Sequence, residues 1–163
     1  MTAQLSIVIP TYNERNNIPV LIEKLNECLL GISWEAIIVD DNSPDGTSDV
    51  AKKLAEVDSR IRCIRRINRK GLAGACIEGI LSASSPIVGV MDGDLQHDET
   101  ILPKMLDKIQ NSQVDLVIGS RHIQNGSAES GFTKQRAVMS VFASSVARKL
   151  LCITVSDLMS GFF

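Results

Sequence analysis

No stretch of this chain is apolar for long enough to cross a bilayer. The longest uncharged run, residues 79–91, is 13 residues and is broken by serine and proline, against the roughly 20 that a membrane-spanning helix needs. The N-terminus has no basic region followed by an apolar stretch, so no secretory signal is expected. The four cysteines (Cys28, Cys63, Cys76, Cys152) are far apart. They form none of the close pairs that structural zinc sites use and read as small buried hydrophobes in a reducing compartment. Internal repeats, low-complexity tracts and inter-domain linkers are absent. With a net charge of −2, nothing points to a nucleic-acid partner. These absences leave one soluble or membrane-peripheral domain, since 163 residues suffice for a real core.

Apolar β-branched runs alternate with segments of helical period. Residues 5–9 predict a strand stopped by Pro10, and Pro19 suits the first turn of the helix that follows. Residues 34–39 predict a second strand ending at Asp40-Asp41. Residues 42–46 are turn material, and Thr47 is expected to cap a helix to Val57. A third strand is expected over 61–67, a helix over 71–81, a strand over 87–91, a helix over 101–109 and a fifth strand over 116–118. Five β–α units in this order predict an α/β fold, a mostly parallel sheet with helices on both faces.

In such sheets ligands bind beyond the carboxyl ends of the strands, and each polar cluster falls there. Asp92-Gly93-Asp94 follows a buried strand. Alternate residues of an extended backbone point to the same side, so both carboxylates can face one point, with Gly93 allowing a sharp exit. Two adjacent carboxylates suit Mg²⁺ or Mn²⁺, and Gln96 could add a neutral oxygen. A solvated strand-end turn is the plainer alternative. Asp41 is the better candidate of its pair for a base N–H or a ribose hydroxyl. Tyr12 could stack on a nucleobase or simply pack. Gly71-Leu72-Ala73-Gly74-Ala75 fits a phosphate loop or close helix–sheet packing equally. His97 and His122 read as scaffold, neither as a general base, and Arg121 presents a fork that matches phosphate oxygens. Six of the 17 basic residues lie between 60 and 70 without an acid among them, as either a solvated edge or the wall of an anion site.

Ile9-Pro10-Thr11-Tyr12-Asn13-Glu14, Val39-Asp40-Asp41-Asn42-Ser43-Pro44-Asp45-Gly46-Thr47, Lys70-Gly71-Leu72, Met91-Asp92-Gly93-Asp94-Leu95-Gln96-His97, Gly119-Ser120-Arg121 and Ser160-Gly161-Phe162-Phe163 together resemble the family-2 glycosyltransferases, and most closely their dolichol-phosphate (polyprenol-phosphate) mannosyltransferase subgroup. The resemblance implies a GT-A catalytic domain over 1–163, C-terminally incomplete because relatives continue further, often into membrane segments. It implies a nucleotide-sugar donor, GDP-mannose first, a polyprenyl-phosphate acceptor, and a place at the cytoplasmic face of a membrane. By matching positions, Pro10, Tyr12, Glu14, Asp41 and Asp92 would contact the nucleotide. Asp92, Asp94 and Gln96 would hold the metal. Arg121, Arg136 and Ser140 would bind the acceptor phosphate, with Asp94 and Arg121 the expected catalytic pair.

Alternatives remain at this level: a UDP-sugar transferase with a hydroxyl acceptor, for which Asp157 is a candidate base, and a non-catalytic nucleotide-sugar-binding module. Residues 136–151 carry a broad apolar face flanked by Arg136, Arg148 and Lys149, which suits a core helix or a helix against a bilayer.

Overall fold

The computed structural model describes residues 3–120 and 160–163. Its elements are β1 (Leu5–Thr11), α1 (Asn17–Cys28), β2 (Trp34–Asp40), α2 (Thr47–Val57), β3 (Ile61–Arg65), α3 (Leu72–Leu81), β4 (Val88–Val90) and α4 (Leu102–Asn111), with a 3-10 turn at Glu99–Ile101 before the last helix. The four strands form one parallel sheet in the order β3-β2-β1-β4.

Parallel strands covered on both faces need apolar side chains on both faces, and every residue of β1 and β2 is buried. Ile7, Ile9, Ala36 and Ile38 meet Ile18, Leu21 and Leu25 of α1 on one side. Val8, Ile37 and Val39 meet Ala75 of α3 on the other. Gly79 brings α3 so close to the sheet that a Cβ there would lie 2.2 Å from Val8 Cγ1.

Several expectations are corrected. The first strand does not stop at Pro10 but runs to Thr11. The Ser6 N–H bonds to Ile87 O and Val8 O accepts from the Met91 N–H, so even positions of β1 face β4. By that alternation the Pro10 nitrogen points past the last bond to β4, where a missing N–H costs no ladder bond. Thr47 is the first helical residue rather than the cap. Gly46, at φ +88°, is the cap position, and Asp45 Oδ1 accepts from Thr47 N (2.9 Å) and Thr47 Oγ1 (2.6 Å). The third strand ends at Arg65, because the chain turns through Asn68 at φ +58°.

The fifth strand does not form over 116–118. Its place beside β4 is taken by the chain's last residues, which run antiparallel. Phe163 N donates to Val90 O (3.1 Å), Val90 N to Phe163 O (2.5 Å), and Phe162 bridges Met91. Gly119 N then bonds to Phe162 O (2.9 Å), and Ser160 Oγ to Gly119 O (2.7 Å). The expected helix over 136–151 lies outside the described residues.

Candidate functional site

From β1 the chain winds outward to β2 and β3, then returns to place β4 on the other side of β1. The strand order reverses between β1 and β4, and the loops leaving such a switch point are where open α/β sheets bind ligands. Residues 12–16 leave β1 and residues 91–98 leave β4.

The first wall is stitched to its neighbour. Asn13 N donates to Ser43 Oγ (2.9 Å), Glu14 N to Thr47 Oγ1 (3.0 Å) and Arg15 N to Asp45 Oδ2 (3.1 Å). These bonds fix the β1–α1 loop to the β2–α2 loop and leave Tyr12 49% exposed, with Lys70 Nζ 5.1 Å from its ring centroid. Pro10 is buried in the strand.

The two acids ending β2 have different work. Asp40 is fully buried. It accepts from Thr11 Oγ1 (3.3 Å), Ser43 N (3.0 Å) and the hydroxyls of Ser43 and Ser48. With those donors it is a turn-holding carboxylate. Asp41 accepts from the Arg66 guanidinium and from Gly71 N (2.6 Å), which ties β2 to the start of α3.

After β4, the Asp92 carboxylate is 35% exposed. His97 Nε2 lies 3.4 Å from its Oδ2, and the His97 ring packs on Phe162 at a 5.3 Å centroid distance. A Cβ on Gly161 would come 2.0 Å from Asp92 Oδ2, so the C-terminal segment presses its bare backbone against this carboxylate. His97 is thus held between Asp92 and Phe162. The sharp exit belongs to Leu95 at φ +61°, not to Gly93, which has no positive φ and instead packs on Thr11 Cγ2, 3.3 Å from its ideal Cβ. Asp94 lies in the turn and accepts from Gln96 N (3.1 Å). The Gln96 side chain is exposed, and the left-handed residue before it ends the alternation that would have aligned it with the two aspartates.

Glu14 connects these walls electrostatically. Burial raises its pKa first. A hydrogen bond from Asn17 opposes that, and the negative charges of Asp94, Asp45 and Asp92 raise it further. The negative charges of both walls are thus felt at Glu14. Among the described residues no three His, Cys, Asp or Glu side chains close into a metal cage. Asp92 and Asp94 offer oxygen donors only, the type that hard cations such as Mg²⁺ and Mn²⁺ prefer.

Arg121, Arg136, Ser140, His122 and Asp157 lie outside the described residues. The basic run divides. Arg60 pairs with Asp58, Arg62 with Glu35, Arg66 with Asp41 and Glu78, and Arg69 with Glu78. Most of it is thus matched by partners within the fold. The closest approach in the Gly71–Ala75 segment is likewise internal, since a Cβ on Gly74 would lie 2.5 Å from Arg66 Nη2. An apolar cavity lined by Leu5, Val88, Leu102, Leu106, Leu116 and Phe163 shares no residue with the acidic crevice. Sequence reasoning named Arg66 only within the basic run and Gly161 only within the Ser160–Phe163 motif, and foresaw neither one's contact in the site region. Nothing in a basic run marks its one buried member, and a glycine pressed on a carboxylate leaves no local signal.

A parallel sheet in this order, with acids gathered at its switch point, is consistent with the GT-A class of nucleotide-diphospho-sugar transferase folds. Glucosyl-3-phosphoglycerate synthase from Mycobacterium tuberculosis, solved with UDP, shares that fold over 98% of this chain and 55% of its own, at TM-score 0.64 and 18% identity. The family model for glycosyl transferase family 2 matches residues 6–163, and the chain belongs to that family. It is 38% identical over 162 residues to the dolichol-phosphate mannosyltransferase of Pyrococcus furiosus, covering 98% of this chain and 45% of the relative. It is 32% identical over 165 residues to the polyprenol monophosphomannose synthase of Mycolicibacterium smegmatis, covering 99% and 61%. The chain thus spans about half the length of these curated relatives. A mannosyltransferase from Pyrobaculum calidifontis, solved with GDP-Man and Mn²⁺, matches 58% of this chain and 28% of its own at TM-score 0.50 and 25% identity. Among the described residues no helix is long and apolar enough to cross a membrane.

Proposed function

We propose that this chain is the donor-binding and catalytic part of an inverting mannosyltransferase. It moves mannose from GDP-mannose to a polyprenyl phosphate, at the cytoplasmic face of a membrane that it contacts peripherally. The observation that carries this reading is the pair of acids Asp92 and Asp94 leaving β4 at the sheet's switch point, in a chain whose relatives are named for that reaction.

Asp92 and Asp94 would hold Mg²⁺ or Mn²⁺, with Gln96 joining them only if its exposed side chain turned back toward the pair. The ion would offset charge on the departing diphosphate. Pro10, Tyr12, Glu14 and Asp41 contact the nucleotide in this scheme. An oxygen of the lipid phosphate attacks the anomeric carbon as its bond to the diphosphate breaks, and GDP leaves. A phosphate monoester has a second pKa of about 6, so the attacking oxygen is largely ionised at neutral pH and no general base is required. That agrees with His97 being committed to Phe162 and Asp92. Arg121, Arg136 and Ser140 take the acceptor phosphate in this scheme.

The test is transfer of radiolabelled mannose from GDP-mannose to short-chain polyprenyl phosphate, beside polyprenol and UDP-glucose controls. Product with the phosphate acceptor alone supports the reading. Transfer to polyprenol, or from UDP-glucose only, overturns it.

A further inference from the structure

The β3–α3 connection contains a closed ring of contacts centred on Arg66. Its guanidinium is 4% exposed. Nη1 donates to Asp41 Oδ1 and to Gly71 O (3.1 Å), and Nε donates to Glu78 Oε1 (3.2 Å). Gly71 N returns a bond to Asp41 Oδ2 (2.6 Å). Helix α3 is notched at Gly74 to receive the group. Beyond the ring, Lys70 hangs over the Tyr12 ring.

A buried guanidinium is costly to desolvate unless its donors are satisfied. This one is satisfied by both an acid of the candidate site and the loop bordering it. Each Asp41 oxygen already accepts one donor from the protein. A carboxylate has about four acceptor positions, so one remains on each oxygen, in a direction the ring fixes. Gly71 cannot shift without breaking the same contacts.

Building on the nucleotide-sugar reading above, we propose that Arg66 is a positioning residue for the nucleoside half of the donor. It aims Asp41 and anchors Lys70-Gly71 at the rim beside Tyr12. Lysine cannot replace it, because a single ammonium does not reproduce a planar fork that spans Asp41, Gly71 and Glu78.

The test titrates GDP and, separately, inorganic pyrophosphate into the full chain with Mn²⁺, for the parent, Arg66→Lys and Glu78→Gln, each checked by circular dichroism. Pyrophosphate carries the metal-binding half without a base. Arg66→Lys should weaken GDP by about tenfold, the scale of a lost charged hydrogen bond, with pyrophosphate unchanged within about twofold. Glu78→Gln should produce a smaller loss in the same direction, and it decides the matter if Arg66→Lys does not fold. Equal losses for both ligands would assign Arg66 to general stability, and no loss for either would remove its role; both results overturn the proposal. A parent that binds neither ligand defeats the nucleotide-sugar reading itself, and this inference with it.

Discussion

Gly161→Ala adds one methyl group, and the structure states where it would go. The new Cβ would lie 2.0 Å from Asp92 Oδ2, 2.6 Å from its Cγ and 2.9 Å from its Oδ1. Real Cβ contacts stay beyond 3.0 Å, so the overlap with Oδ2 is about an ångström. Gly161 has no positive φ, so alanine itself is not strained there; the strain falls on its neighbours. Two things can yield. The Asp92 side chain can rotate away, losing its contact with His97. Alternatively the 160–163 segment can lift off β4, breaking the Phe163–Val90 bonds. Asp92 is the less anchored of the two, being 35% exposed. Moving a carboxylate out of a charged interaction forfeits on the order of 1.5–3 kcal/mol, or about a tenfold to hundredfold loss in metal-dependent nucleotide affinity. Calorimetric titration of GDP with Mn²⁺ reads that loss, and thermal unfolding separates it from a lifted C-terminal segment. A folded Gly161→Ala protein that binds as tightly as the parent would refute the reasoning.

Gly79→Ala tests packing away from the crevice. Its methyl would meet Val8 Cγ1 at 2.2 Å, an overpacking cost of about 1–3 kcal/mol against about 1 kcal/mol gained in helix propensity. The melting temperature should fall by a few degrees, and an unchanged or higher value would contradict the close α3–sheet contact. Glu35 holds the opposite end of the sheet. Burial raises its pKa, but hydrogen bonds from Ser6, Ser84 and Arg62 outweigh that and lower it overall. A folded carboxyl with a depressed pKa binds fewer protons than the unfolded one, so its contribution is complete above about pH 4.3 and is lost as pH falls further. Glu35→Gln should flatten the acid limb of stability against pH in denaturant titrations; an unchanged limb would dismiss the network. Burial pushes the Cys28 thiol up to about 11, helped by Glu99, and burial also raises Cys63 and Cys76. All three should alkylate with iodoacetamide at pH 7.5 more slowly than a cysteine peptide, read site by site by mass spectrometry. Peptide-like rates would contradict their burial.

The parts of this molecule that follow from local chemistry were legible in its residues. Apolar runs gave β1, β2 and β4, and the acids and turn residues after them located the crevice, because strand ends and breakers are local events. Long-range pairing was not legible. The residues at 116–118 are apolar enough for a strand, yet Phe162–Phe163 occupy the edge of β4, and only tertiary packing decides between them. Pro10 read as a terminator because the direction of its missing N–H depends on which neighbour lies where. The sequence favours Asp41 over Asp40 for the ligand, but the partners of the two acids were not legible in it. One is enclosed by Thr11, Ser43 and Ser48, whereas the other reaches Arg66 and Gly71. Burial of Arg66 depends on its pairing with Asp41, 25 residues away in the chain, as well as on the notch at Gly74, and a basic run shows no sign of that pairing.

The central claim is that the acids at the β1–β4 switch point bind a nucleoside diphosphate through a divalent cation. Its most direct test is calorimetric titration of GDP into the parent chain and Asp94→Asn, each with Mn²⁺ and with excess EDTA. The account predicts binding for the parent with Mn²⁺, little with EDTA, and loss of most metal-dependent affinity in Asp94→Asn with the melting temperature retained. GDP binding of equal strength with EDTA, or in Asp94→Asn, would contradict it.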